Sequence, residues 1–127
     1  MERFFWVCVG GAFGSGSRYL LSAWVQGAAA STFPWGTLAV NGIGSFLLSL
    51  LMVIGLETEA FSPLLRLALT TGVMGGFTTY STFNYETQKL LQEGAWIPAG
   101  ANVLGTVLAC LVAGFLGHQA GHLLIRR

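Results

Sequence analysis

At 127 residues, with 54% hydrophobic side chains and only 9% charged, the chain has the composition of a membrane protein, since soluble domains carry roughly 25% charge. A net charge of +1 supplies no basic field for nucleic acid. Cys8 and Cys110 both lie in apolar runs, which points to neither a disulfide framework nor a metal cage.

The first apolar segment runs from about Phe4 to Gln26. With Arg3 before it and Ala28-Ala29-Ala30 after, it imitates a secretory signal. It is about twice a signal's apolar core in length, and Arg18 interrupts it, so a retained span is expected. Gly10-x-x-x-Gly14 fits close helix packing. No strand pattern precedes Gly10–Gly16, so these glycines are no dinucleotide fingerprint. Arg18 inside a span is either an attractor for anions or a side chain that snorkels to the headgroups.

The second segment follows Ser31-Thr32, natural N-cap residues, and ends near Leu56. Pro34 and Trp35 stand at its entrance, Trp35 suiting an interfacial belt. Thr37, Asn41 and Ser45 recur at i, i+4 and i+8, hence on one helical face. Such a stripe is either a hydrated track or a set of interhelical hydrogen bonds of about 0.6–2 kcal/mol each. Asn41 needs partners for two donors and an acceptor. Its amide group suits protein partners and an anion equally.

The third segment, from Pro63 or Leu64 to Leu91, contains TTGVMGGFTTYSTF at Thr70–Phe83. Three glycines (Gly72, Gly75, Gly76) and six Thr or Ser residues share fourteen positions with Tyr80. Each helical glycine costs roughly 1 kcal/mol against alanine, so a break is expected. A broken, hydroxyl-lined helix is where an ion or substrate site is sought, while small residues serve helix contacts equally well. Tyr80 and Phe83 are three apart on one side, and their positive ring edges suit an anion or a packed core. Glu86, one turn on, is expected near an aqueous opening.

The fourth segment begins near Trp96-Ile97-Pro98 and stops before Arg126-Arg127. Asn102, Thr106 and Cys110 repeat the i, i+4, i+8 stripe, and Gly117-x-x-x-Gly121 repeats the close-packing pattern. His118 and His122 have a spacing that can bind metal, but no Glu completes a zinc-protease motif, so they read as interfacial residues.

The links Gly27–Phe33, Glu57–Ser62 and Gln92–Ala95 leave no room for a soluble domain. The expectation is one all-α membrane domain, residues 1–127, of four transmembrane helices. Arg3, Arg66, Arg126 and Arg127 fall on the side of the termini and Lys89 on the other. That tilt on the positive-inside rule is slight, which leaves both a dual and a single fixed topology open. GxxxxGK[ST], GxSxG and CxxC are absent, and no enzyme is expected.

Four stretches together carry a resemblance: GGAFGSGSRY (Gly10–Tyr19), WGTLAVNGIGSF (Trp35–Phe46), GGFTTYSTFNYE (Gly75–Glu86) and the small-residue-rich fourth span. In this order, over essentially the whole chain, they resemble the Fluc (CrcB) family of fluoride channels. The resemblance implies four helices with the third broken at mid-membrane, in an antiparallel dual-topology homodimer within the bacterial inner membrane. It implies passive fluoride export that lowers cytoplasmic fluoride, through two pores built from both subunits around a central structural sodium ion. Tyr80 and Phe83 match the aromatic box, Asn41 the pore asparagine, and Arg18 the arginine of the first motif. Thr37, Thr106 and Cys110 fall at or near the polar track, and Glu86 matches a carboxylate beyond the box. Gly75 and Thr78 match the positions whose carbonyls hold sodium. Tyr80 stands where the family usually has phenylalanine, and Cys110 where a hydroxyl residue is common.

Two other classes share this outline. A small proton-coupled multidrug exporter has similar size, but needs a membrane carboxylate, and none lies between Phe4 and Leu56. A non-transporting scaffold would use the glycines and Asn41 for assembly alone.

Overall fold

The computed structural model describes residues 1–126, and every regular element among them is helical. Arg127, counted above in the charge tilt, lies outside the described residues. Helix α1 spans Glu2–Ala29 and α2 spans Trp35–Glu57. After them come α3 (Pro63–Leu67), a π-helical stretch Ala68–Met74, and α4 (Gly75–Phe77). Helices α5 (Tyr80–Gln92) and α6 (Trp96–Ile125) complete the chain. Both α2 and α6 are long and apolar enough to cross a bilayer.

The α1–α2 link departs from expectation. Ser31 and Thr32 do not cap α2: Pro34 occupies that position, and no side chain caps the helix from there. Ser31 instead accepts from the Phe33 N–H through its hydroxyl at 3.1 Å. Gln26 takes over the capping, its Oε1 accepting from the Gly36 N–H at 3.1 Å. Its Nε2 donates to the carbonyls of Ser31 (2.6 Å) and Phe33 (3.0 Å). Pro34 is the physical reason, because it brings no N–H of its own and shifts the first orphan donors to residues beyond it. The α2–α3 link follows the simpler rule, with Ser62 Oγ accepting from the Leu65 N–H at 3.2 Å and Pro63 opening the helix. Arg66 then donates to the Gly55 carbonyl at 3.0 Å and satisfies the C-terminal end of α2.

The interior is thin. Among the described residues Val40 and Asn102 are the largest side chains wholly hidden, and Val40 packs with Met74 and Phe77 as a small cluster. Large apolar residues such as Phe13, Trp24, Leu104, Leu111 and Phe115 point outward along the long helices. Such a surface belongs in lipid or against another apolar surface, and the chain is a membrane protein. Without water to drive burial, helices in lipid gain cohesion from close van der Waals approach, which requires small residues.

Glycine meets that need on two seams. On the first, α1 lies against the π-helical stretch and α4. A Cβ on Gly10 would come within 2.6 Å of the Ala68 carbonyl, and one on Gly14 would strike the Val73 carbonyl. Gly76 faces the Gly11 carbonyl in the same way, at 2.5 Å from where its Cβ would be. On the second seam α2 lies against α6, where a Cβ on Gly117 would strike the Phe46 carbonyl and one on Gly121 the Val53 side chain. Both small-xxx-small patterns therefore do what their spacing predicts.

These seams separate two kinds of glycine substitution. Gly14→Leu forces side-chain volume into backbone and should cost at least about 1–3 kcal/mol. Gly27→Ala meets open space on α1 and should hold or gain up to about 1 kcal/mol. Thermal unfolding of the detergent-solubilised variants checks this, and equal midpoints for the two would remove the seam from the account.

Candidate functional site

The site forms where the helical path Pro63–Gln92 loses its own hydrogen bonding. Glycine was expected to cause the interruption, yet Gly75 and Gly76 remain helical and the chain opens at Thr78 and Thr79 instead. Thr78 (φ −80°, ψ 155°) and Thr79 (φ −151°, ψ 115°) are both extended. β-Branched threonine tolerates that conformation well. Its hydroxyl then repairs the ends: Thr78 Oγ1 donates back to the Met74 carbonyl at 3.0 Å. Thr79 Oγ1 caps α5 by accepting from the Thr82 N–H at 3.3 Å.

Asn41 closes the gap from α2. Its Oδ1 accepts from the Thr79 N–H at 2.8 Å, and its Nδ2 donates to the Thr79 carbonyl at 3.0 Å. The carboxamide thus stands in for a peptide group, pairing both backbone atoms of one residue as a neighbouring strand would. The Thr79 N–H that the break frees is satisfied, the Thr79 carbonyl gains a donor beside its own helical one, and one amide N–H of Asn41 has no partner among the described residues. From α1, Arg18 Nη1 reaches the Thr78 carbonyl and Ser15 Oγ the Gly76 carbonyl, each at a long 3.4 Å.

The break divides two grooves. One, about 330 Å³, is lined by Asn41, Ser45, Thr78, Tyr80, Phe83, Thr106 and Cys110, among others. The other, about 410 Å³, is lined by Ser15, Arg18, Ser22, Gln26, Thr37 and Thr82, among others. Thr79 borders both. Phe83 is buried while Tyr80 is 77% exposed, so Tyr80 forms an outer wall. Their ring centroids are 5.6 Å apart at 54°, a tilt that leaves ring edges available rather than stacking faces.

The structure thus gathers Asn41, Thr78, Tyr80, Phe83, Thr106 and Cys110 around one groove and puts Arg18 and Thr37 at the other. Glu86 joins the second set through Thr37, whose Oγ1 donates to Glu86 Oε1 at 2.8 Å. Glu86 Oε2 is buried without a partner among the described residues. Gly75 lies in the last helical turn before the break. The polar stripes divide in purpose. Ser45 Oγ returns to the Asn41 carbonyl at 2.7 Å, and Asn102 Nδ2 donates to Thr87 Oγ1 at 2.9 Å, tying α6 to α5. Asn102 makes a contact between helices, whereas Ser45, Thr106 and Cys110 border the groove.

Sequence reasoning passed over Thr79, the pivot of the break, and the polar face of α1. Ser15, Arg18, Ser22 and Gln26 fall at i, i+3, i+7 and i+11, a helical period that would have revealed that face. Thr79 offered no such signal, being one threonine among several.

A cation at the break has partial support from the donor set. The Thr79 N–H that would close a turn on the Gly75 carbonyl is taken by Asn41, so the Gly75 oxygen is released from that bond. The Thr78 oxygen has a second lone pair, but Arg18 already approaches it. Two carbonyls from one chain supply fewer oxygens than a hard cation takes, so these two alone do not complete such a site.

Comparison with known proteins identifies the family. Residues 5–118 match the family described as CrcB-like protein, Camphor Resistance (CrcB). The chain is 53% identical over 125 residues to a protein of Sorangium cellulosum (strain So ce56) named fluoride-specific ion channel FluC, covering 98% of each chain. A protein of the same name from Anaeromyxobacter sp. (strain K) is 55% identical over 126 residues, covering 99% of this chain and 97% of the relative. Another, from Geobacter sulfurreducens, is 52% identical over 114 residues, covering 90% and 92%. A match over this much of the sequence, at such identity, shows that the chain belongs to the CrcB family.

Proposed function

We propose that the protein is a fluoride-selective channel, not an enzyme, that lets fluoride leave the cytoplasm passively across the bacterial inner membrane. The observation that carries this reading is the groove where Tyr80, Phe83 and Thr106 meet at the Asn41-held break, in a chain whose close relatives bear the name of fluoride channels. Fluoride is small and strongly hydrated, so a selective path must replace its water with donors and polarised edges at short range. Hydroxyls and the free Asn41 N–H supply donors, while tilted rings supply positive edges without the grip of an ammonium. The weak edges matter because an ion held too firmly does not leave.

Four spans, with Pro63–Gln92 as a third one interrupted at mid-membrane, would bring both grooves to the bilayer interior. An antiparallel homodimer would cover the exposed face of Tyr80 and give each groove its missing wall. Two symmetric copies make two paths, and they bring the Gly75 and Thr78 carbonyls of both chains toward one structural sodium ion. Sodium there would supply fixed positive charge and hold the break, with Gly75 and Thr78 as the contributing positions. Arg18 and the Thr37–Glu86 pair would form the approach on the other side of Thr79. The Tyr80 hydroxyl adds a donor where the family usually has a bare ring, and Cys110 offers a weaker donor than a hydroxyl would.

Asn41 cannot discriminate a channel from a scaffold by mutation, since it holds the break in either role. Phe83 can. In liposomes loaded with fluoride, the purified protein should release fluoride at least tenfold faster than chloride. Equal release of both ions, or of neither, rejects the channel. Phe83→Ile keeps similar bulk but lacks the ring edge, so it should leave a folded, monodisperse protein with fluoride efflux lowered tenfold or more. Unchanged efflux would remove the aromatic edge from the mechanism. Exchange of sodium for a large organic cation should slow flux or weaken self-association, and indifference to the exchange would withdraw Gly75 and Thr78 from the cation site.

A further inference from the structure

We propose a second ion site, for a divalent transition metal, where the C-terminal ends of α2 and α6 meet. It lies on His118 and His122, with Glu57 behind them. It does not depend on fluoride conduction.

The two histidines are one turn apart on α6, and their Nε2 atoms converge to 3.1 Å. Two nitrogens bound to one metal at about 2.0–2.1 Å stand roughly 2.9–3.4 Å apart, for octahedral to tetrahedral angles. The observed spacing falls in that range without movement of the backbone. The rings are nearly perpendicular, at 83°, with centroids 4.5 Å apart. Rings so inclined do not stack, which keeps both Nε2 edges open to a shared ligand.

Glu57, the last residue of α2, supplies the independent feature. Its Oε2 lies 3.2 Å from His122 Nδ1. A carboxylate there keeps the proton on Nδ1 and leaves the Nε2 lone pair facing His118. Metal-ligating histidines carry this support on the ring nitrogen away from the metal, where it orients the ring and raises its basicity. Without metal, His118 can donate one N–H to that lone pair, which satisfies the pair but does not explain why Glu57 orients it.

The surroundings favour a cation. Two helix C-termini converge here, each with negative partial charge on its last carbonyls. The His122 and Glu57 side chains are 27% and 44% exposed, so an ion can reach them from outside the chain. The approach of the two ends rests on the second glycine seam, with Gly121 against Val53 and Gly117 against Phe46. No group of three His, Cys, Asp or Glu residues suited to a metal occurs among the described residues. Water would therefore complete the coordination, and the site would exchange its ion readily. Imidazole donors select zinc, copper or nickel over magnesium or calcium.

The test uses the full chain in detergent with any polyhistidine tag removed. Calorimetric titration with Zn²⁺ should give one ion per chain. His118→Ala should weaken binding at least tenfold while the protein stays helical and monodisperse. Glu57→Gln, which keeps the shape but loses the charge, should weaken it about 10- to 100-fold, the usual cost of losing such a partner. Copper supplies a check on the unaltered protein, because the electron paramagnetic spectrum of bound Cu²⁺ should show two imidazole nitrogens. No zinc binding up to about 1 mM, equal binding by the His118→Ala, His122→Ala double variant, or a copper spectrum with fewer than two nitrogens overturns the proposal.

Discussion

Everything distinctive in this fold depends on one clasp, the two hydrogen bonds between the Asn41 carboxamide and the backbone of Thr79. A helix interrupted in an apolar medium exposes peptide groups that water cannot reach, each costing several kcal/mol if left alone. Asn41 removes that cost at one residue, with one side chain, from a neighbouring helix. Because the clasp pins Thr79 from outside, α4 and α5 can end and begin there. Thr79 then borders both grooves, and the Gly75 carbonyl is released from its usual partner. Helix break, groove partition and freed oxygen are three results of the same pairing.

The glycines have a different task from the one their propensity suggests. Gly72, Gly75 and Gly76 all keep helical or π-helical geometry. The wide turns of Ala68–Met74 precede the break and lie along α1, with Gly10 and Gly72 in backbone contact. Glycine therefore brings the third helical path close to α1, and threonine turns it. Close approach also explains why Ser15 and Arg18 can reach carbonyls near the break with side chains of such different length.

Much of this was legible in the sequence. Period and length marked the helical segments, two small-xxx-small patterns marked the seams, and the stripe through Thr37 and Asn41 marked a polar face. Thr106, Cys110, Tyr80 and Phe83 do border one groove with Asn41. The errors share a cause: each needed a distant partner that local chemistry cannot reveal. Ser31-Thr32 has the composition of a cap, but Gln26 on the preceding helix reaches the Gly36 N–H first. Gly75-Gly76 has the composition of a break, but the residue that receives a partner from α2 is Thr79. Asn102 resembles Asn41 in type and periodicity, and only the position of Thr87 directs it to a helix contact. His118 and His122 were visible as a pair, while Glu57, sixty-one residues before His118, was not.

The two seams also govern how the sequence can change over generations. Where Gly14 meets the Val73 carbonyl and Gly117 meets that of Phe46, the contacting surface is main chain on one side and a hydrogen atom on the other. Main chain has no alternative rotamers and cannot be replaced by a smaller residue, so no second substitution nearby can restore the fit once the first has been made. The outward apolar positions have the opposite property, since leucine, valine and phenylalanine present nearly equivalent faces to lipid. Drift in this protein is therefore channelled to its exterior, and the interior forms a frame that neutral exploration cannot enter by single steps.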